Sequence, residues 1–323
     1  MTSAGPAAGP EIITVGRIGV DIYPEQTGVG LEDVRTFVKS LGGTAANVAV
    51  AAARLGRRAA VLTGVGDDPF GRYCRRRLAE FGVDTGFVFT DSRHPTPVTF
   101  AEVRPPEDFP IFFYRRPSAP DLQLTAGRVD SEALCAVPLL WTTGVAFSAE
   151  PSRSALLATL DRRGRRPLTV HDLDWRPTLW ETGEDPRRWA AEAVARSTVV
   201  VGNEAEAGLI TGERPPADAA RHLLDLGAEL AVIKQGARGV LGATREEMIE
   251  VPPLHPEVVN GLGAGDAFGG ALCHGLLAGW PLETTLRAAN AAGAYVAGQL
   301  LCSDAMPGLA EIERALGAEL PGA

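Results

Sequence analysis

The chain has 323 residues, with 31 Lys+Arg against 40 Asp+Glu for a formal charge of −9, and 45% hydrophobic residues. This is an ordinary globular composition, long enough to bury a full core. Its acidic balance offers no broad basic field, so neither nucleic acid nor a membrane surface is an expected partner.

Residues 1–10 (MTSAGPAAGP) carry neither a basic leader nor an apolar run and read as a flexible start, with 11–323 forming one α/β unit. Cys74, Cys135, Cys273 and Cys302 stand far apart without a C-x-x-C pair, which predicts no zinc cluster and a reducing, cytoplasmic setting. Glu11 to Val15 reads as a short buried strand ending at Gly16. Val20 to Val38 mixes Gly, charged and β-branched residues and predicts a sheet excursion. Gly42-Gly43 opens a small-residue helix over Asn47 to Leu55, stopped by Gly56. A strand at 61–63 follows, and Pro69 sits where first-turn prolines sit, ahead of a helix to about Phe81.

Residues 87–90, 97–104 and 110–115 are aromatic or β-branched between Pro-rich turns and read as strands. From Leu139 the pattern alternates: strand LLWTTG, helix SRSALLATLDRRG, strand LTVHDLD, helix PRRWAAEAVARS and strand TVVVGN. A short helix after Glu204, a helix over Asp218 to Leu226, a strand at 230–234 and a Gly-rich hairpin at 236–251 follow. Long helices over about 266–278 and 282–300 are expected to close the chain. The alternation predicts an α/β fold with a doubly wound, mostly parallel sheet flanked by helices. The excursions near 17–40 and 92–117 break the rhythm and are expected to pair with each other as a small β-sheet lid.

The chemistry concentrates in Asn260-Gly261-Leu262-Gly263-Ala264-Gly265-Asp266-Ala267-Phe268, just ahead of an apolar helix. Alternating glycines leave backbone N–H groups unshielded at a helix start, where the dipole adds positive potential suited to a phosphoryl group. Asp266 is placed to accept a proton from an attacking hydroxyl; the alternative is a tight turn with Asp266 as helix N-cap. There is no G-x-x-x-x-G-K-[ST], and no G-x-G-x-x-G follows the first strand, so neither a P-loop nor a nicotinamide site is indicated.

Together, GLGAGDAF and the upstream Gly42-Gly43-Thr44-Ala45-Ala46-Asn47 resemble the two signatures of the ribokinase-like (PfkB) sugar kinases, over about residues 11–316. The resemblance implies ATP-dependent phosphorylation of a primary hydroxyl, with Asp266 as base and the amides of Gly263, Ala264 and Gly265 as anion hole. It implies that Asn203 and Glu206, the family's N-x-x-E, arrange Mg²⁺ through water. A carboxylate and an amide three apart at a strand end suit that ion, and a capping Asn is the alternative. It places Lys234, Gly236 and Gly239 in the nucleotide loop and Asn290 at the adenine site, with a hydrogen bond to a neighbouring backbone group as the alternative for Asn290. A monovalent cation near the loop and a homodimer paired through the lid are further implications. The usual Asp-Thr-Thr is replaced here by Asn260-Gly261-Leu262, so the Asp of that cation site is missing.

On the same resemblance Asp21, Gly43 and Asn47 hold the sugar, while Tyr114, Arg115 and Arg176 mark the branch acting on sugar acids. Two guanidinium groups converging on one pocket suit a carboxylate. The expected substrate is 5-dehydro-2-deoxygluconate, ahead of 2-keto-3-deoxygluconate. A nucleoside kinase and a non-catalytic sugar-acid sensor on the same fold are the remaining alternatives.

Overall fold

β1 (Ile12–Val15) has every residue buried, Ile12 entering the core on one face and Ile13 and Val15 on the other. A strand with no solvent face belongs in the middle of a parallel sheet covered on both sides. The computed structural model, which describes residues 9–106, 108–165, 167–180 and 183–322, places it there. The expected flexible start lies, over residues 1–8, outside the described residues.

β2 (Gly19–Pro24) and β3 (Phe37–Gly42) leave the body as the first excursion. α1 (Thr44–Arg54), β4 (Ala59–Gly66), α2 (Pro69–Glu80) and β5 (Val88–Asp91) return to it. β6 (Val98–Ala101) and β7 (Ile111–Tyr114) form the second excursion. Then come α3 (Ser131–Ala136), β8 (Leu139–Thr143), α4 (Ser152–Arg163), β9 (Leu168–Asp172) and α5 (Pro186–Ala195). β10 (Val199–Asn203), α6 (Glu204–Thr211), α7 (Pro216–Asp225) and β11 (Leu230–Lys234) continue the alternation. β12 (Val240–Ala243) and β13 (Met248–Val251) make the hairpin. α8 (Ala264–Ala278), α9 (Leu282–Ala297) and α10 (Leu309–Leu316) follow.

Among the described residues the main sheet has nine strands in the order β13-β12-β11-β10-β9-β8-β1-β4-β5. Pairing is parallel from β11 to β5, and only the hairpin edge is antiparallel. α1, α8 and α9 cover one face with an Ala-rich core around the fully buried Trp141, while α3, α4 and part of α5 cover the other. The two excursions pair as anticipated, in a four-stranded sheet ordered β3-β2-β6-β7 with a parallel β2–β6 seam. Strand alternation turns Asp21, Tyr23, Thr99 and Phe113 toward the body, and puts Phe37, Phe100 and Tyr114 in edge-to-face contact on the outside.

Two helix boundaries and two short helices differ from the sequence reading. α1 begins at Thr44, three residues before the expected Asn47, because Gly43 at φ 98° already turns the chain out of β3. Asn47 therefore lies inside the helix rather than at its cap. α9 ends at Ala297, whose carbonyl accepts from the N–H groups of Val259 and Asn260 instead of continuing the helix. Two helices without a strong signal, the six-residue α3 and the closing α10, were not foreseen. The strand expected at 87–90 forms as β5 and extends the main sheet beside β4.

Candidate active site

Parallel strands deliver the residues that follow their carboxyl ends to one edge of the sheet, the usual ligand position in open α/β folds. Here that edge, the lid and the start of α8 enclose a cleft of about 410 Å³ lined by Arg17, Asp21, Asn47, Asp174, Arg176 and Asp266, among others. A second cavity, about 530 Å³, lies beyond the same helix start and includes Gly239, Leu254, Phe268 and Asn290. Lys234, Gly236, Gly261 and Gly265 border both. The two compartments therefore meet at the Gly-rich turn.

Gly263 caps α8 in the left-handed conformation at φ 82°, and a Cβ there would lie 2.6 Å from Cys302 Sγ, so only glycine fits. It offers no side-chain cap. The N–H groups of Gly263, Ala264 and Gly265 have no acceptor among the described residues. Lys234 reaches them from the end of β11, its Nζ standing 3.3 Å from the position of a Gly265 Cβ. Burial works against the lysine charge, but the carboxylates of Asp172, Glu206, Asp266 and Asp174 outweigh it and hold the Lys234 pKa above its ordinary value. Three free amides, a helix dipole and an ammonium make a strong anion site.

Asp266 is the third residue of α8 and not its cap, which removes the capping alternative. Its Oδ2 accepts from Asn47 Nδ2 at 2.6 Å, while Oδ1 receives no hydrogen bond among the described residues. Burial raises its pKa to about 6 against the Asn47 bond, which lowers it; nearby Asp174 adds to the rise. A carboxylate poised there is ionised at neutral pH and accepts a proton at a free oxygen.

Across the cleft, Asp21 accepts from Tyr23 Oη at 3.1 Å, and Tyr23 Oη in turn lies 2.8 Å from Cys302 Sγ. Burial lifts Asp21 to about 6 as well, opposed by Arg17, Tyr23 and Thr99. Arg17 follows β1, buried, with Nη2 on Thr44 Oγ1 at 2.6 Å and on Asp174 Oδ2 at 3.3 Å. Its guanidinium lies 5.4 Å from the Phe113 ring centroid, and its Nε is buried without a partner. Arg176 Nε holds the other oxygen of Asp174 at 3.1 Å. Burial acts to raise the Asp174 pKa, but these two guanidinium groups and Thr44 keep it low. Asp174 is the single non-glycine residue at positive φ among the described residues, at 32°, strain of the kind found where a side chain must be aimed.

The structure gathers Asp21, Gly43, Asn47, Arg176, Asn203, Glu206, Lys234, Gly236, Gly263, Gly265 and Asp266 around the first cleft. Gly239, Ala264 and Asn290 border the second cavity. Tyr114 and Arg115 do not reach the cleft. Tyr114 sits on the outer face of β7, 66% exposed, and Arg115 is buried in an ion pair with Asp121 at 3.0 Å. The alternation of β7 sends Ile111 and Phe113 inward in place of Tyr114, and Arg115, past the strand's end, is drawn to Asp121. The second guanidinium beside Arg176 is thus Arg17, which the sequence reading passed over although it directly follows the first strand. Asp172 and Asp174, neighbours of Arg176 in sequence, were also passed over.

Asn203 and Glu206 form a reciprocal capping box: Glu206 N–H donates to Asn203 Oδ1 at 2.9 Å and Asn203 N–H to Glu206 Oε2 at 2.7 Å. The cap immobilises both at the cleft and leaves Glu206 Oε1 without a donor among the described residues. That spare hard oxygen fits a hydrated magnesium ion on nucleotide phosphates. Asn290 donates to Pro252 O at 2.9 Å, so it borders the second cavity and holds backbone at once. Asn260 is fully buried, its Nδ2 on Leu300 O at 2.8 Å and its Oδ1 on Leu262 N–H at 3.0 Å. It pins the loop where the resemblance would put Asp.

The model for "pfkB family carbohydrate kinase" matches residues 10–308. The chain is 33% identical over 311 residues to a 5-dehydro-2-deoxygluconokinase of Geobacillus kaustophilus (strain HTA426), covering 94% of this chain and 92% of the relative. Its fold is similar to that of a PfkB protein from Polaromonas sp. JS666, with a TM-score of 0.80 and 26% identity over 92% of this chain and 98% of that one. It is also similar to the fructokinase of Vibrio cholerae O395 in a form bound to fructose, ADP and calcium ion. There the TM-score is 0.83 and the identity 26%, over 95% of this chain and 99% of that one.

Proposed function

The chain belongs to the pfkB family of carbohydrate kinases and is an ATP-dependent phosphotransferase acting on a sugar hydroxyl; from that premise we propose that its acceptor is 5-dehydro-2-deoxy-D-gluconate, phosphorylated at the 6-hydroxyl. The observation that carries the reading is the pair Arg17 and Arg176 on opposite oxygens of Asp174 at the floor of the cleft. Asp174 takes one nitrogen of each guanidinium, which leaves Arg17 Nε and the remaining N–H donors of Arg176 to pair a sugar carboxylate, a group that a neutral sugar lacks. The names of the similar 5-dehydro-2-deoxygluconokinases support the same choice.

In this reading Asp21, Thr99 and Asn47 hold the sugar hydroxyls. Asp266 Oδ1 takes the proton of the 6-hydroxyl, whose oxygen bonds the γ-phosphorus as the bond to the ADP oxygen breaks. The free amides of Gly263, Ala264 and Gly265, with Lys234, face the charge on the transferred group. A magnesium ion, when bound to the nucleotide, neutralises phosphate charge, and Asn203 and Glu206 would hold it through water. The lid, with Thr99 and Phe113 over the cleft, excludes water that would otherwise accept the phosphoryl group. The exposed Phe37, Phe112 and Tyr114 on its outer face support a homodimer paired lid to lid. No helix among the described residues is long and apolar enough to cross a membrane, and a cytoplasmic enzyme is part of the proposal.

ADP release with Mg-ATP across a panel tests it: 5-dehydro-2-deoxygluconate, 2-keto-3-deoxygluconate, fructose, ribose and adenosine. The first compound should give the highest kcat/KM. Preference for the second would keep the carboxylate site and replace the substrate; preference for a neutral sugar or adenosine would overturn the role of the two arginines.

A further inference from the structure

One buried segment far from the Gly-rich turn in sequence touches the hydrogen-bond partners of both Asp21 and Asp266. Cys302 Sγ lies 2.8 Å from Tyr23 Oη, the group that donates to Asp21. The next residue, Ser303, is fully buried and donates from Oγ to Asn47 Oδ1 at 2.5 Å. Asp304 follows, accepting from Ser40 Oγ at 2.6 Å and pairing with Arg77. These bonds clamp the short turn Ser303–Ala305 to β3, α1 and α2.

The Ser303 bond has a chemical consequence one residue further on. An amide has an accepting end and a donating end, and nothing in its shape says which faces which neighbour. The ionised Asp266 carboxylate only accepts and so takes the Nδ2 end, at 2.6 Å, while the Ser303 hydroxyl donates to the Oδ1 end left facing it. A hydrogen bond received at the carbonyl end also polarises the amide and strengthens its N–H as a donor. Without the hydroxyl, Asn47 Oδ1 has no partner among the described residues, and a buried orphan acceptor is costly enough to move the side chain.

We infer that Ser303 is a positioning residue for the reaction: through Asn47 it holds Asp266 in the ionised form and in one rotamer, with Oδ1 turned to the acceptor hydroxyl. The inference rests on Asp266 being the base. Other charged groups face Asp266 too: Arg17 after β1, Asp172 at the end of β9, Asp174 and Arg176 beyond it, and Lys234 on β11. None of them is hydrogen-bonded to the Ser303 side chain, so the relay can be perturbed alone. Losing the Asn47 donor removes a bond that lowers the Asp266 pKa, so the base is lost at higher pH.

The experiment is a double-mutant cycle on kcat with Ser303→Ala, Asn47→Ala and both, run from pH 5 to 8 with saturating sugar and Mg-ATP. Ser303→Ala alone should lower kcat about tenfold, the worth of one such bond, and move the acid limb of kcat upward by about half a pH unit. In the Asn47→Ala background it should change neither. Ser303→Cys, which keeps a weaker donor in nearly the same volume, should fall between wild type and Ser303→Ala. A Ser303→Ala enzyme with unchanged kcat and acid limb would overturn the inference, as would an equal loss in both backgrounds. Asp266→Asn separates the two levels: if it retains turnover, the base reading itself is wrong. If it is inactive while Ser303→Ala behaves as wild type, only the relay is wrong.

Discussion

Gly42→Ala isolates the placement of Asp21. Gly42 ends β3 with no unusual φ; what requires glycine there is space. A Cβ would lie 2.0 Å from Asp21 Cγ and 2.1 and 2.2 Å from its two oxygens. Ordinary contact begins near 3.4 Å, so the carboxyl must retreat by about 1.4 Å. Tyr23 stands behind it, 1% exposed and already bonded at 3.1 Å, so the carboxyl cannot retreat toward Tyr23 and keep that bond. A displacement of roughly 1 Å in a positioning group costs about 100-fold in rate. We expect kcat/KM for the sugar to fall about 100-fold at saturating ATP. KM for ATP should stay within about twofold, because Gly42 does not border the second cavity. Gly208→Ala in α6, where a Cβ meets nothing within 4 Å, is the control for a generic glycine effect. ADP release measured for the three proteins, with thermal unfolding alongside, decides it. A Gly42→Ala enzyme within threefold of wild type, or one losing ATP and sugar affinity equally, would refute the role given to Asp21.

Two further expectations follow from the same site. Arg17→Ala should cut kcat/KM for the sugar acid about 10- to 100-fold, the range for a lost charge-assisted hydrogen bond, and leave the carboxamide analogue of that sugar nearly unchanged. An equal loss on both compounds would mean that Arg17 only supports Asp174. The second concerns pH. Asp21 and Asp266 are both raised to about 6 from 3.8 by burial, so activity should fall as pH drops through about 6. For stability the sign is opposite: a carboxyl whose folded pKa is raised favours the folded state fully below its unfolded value and loses that contribution as pH rises through about 6. Asp266→Asn should therefore unfold at a higher temperature than wild type at pH 7.5, with the two converging near pH 4. Equal unfolding temperatures at both pH values would show that Asp266 carries no such strain.

The order of strands and helices, the doubly wound sheet and the paired lid excursions were legible because they rest on local signals. Runs such as IITV, LAVIK and TVVVG have no polar face and must be buried on both sides. The Gly-rich turn was legible for the same reason: alternating glycines before an apolar helix describe a helix start that exposes its amides. α3 and α10, at six and eight residues, are too short to carry a clear period. The misassignment of Arg115 had another cause. Arg115 lies one residue past β7, where the buried Asp121 takes its guanidinium, a pairing no local signal announces; for Tyr114 the face depends on the register of β7 with β6, and a one-residue change reverses it.

The sequence by itself determined most of the elements, the Gly-rich turn ahead of an apolar helix and the identity of the acid placed beside it. Each of these is a property of residues within about a dozen positions of one another. Tertiary structure alone decided which polar groups meet: Arg17 with Arg176 across Asp174, Lys234 beside the Gly-rich turn, and Ser303 behind Asn47. The crossovers of a parallel sheet bring strand ends from Val15 to Lys234 to one edge, and α9 returns the chain to the same place at Cys302. Sequence separation then says nothing about distance, and the polarity of the site is set by contacts that only the packed sheet makes.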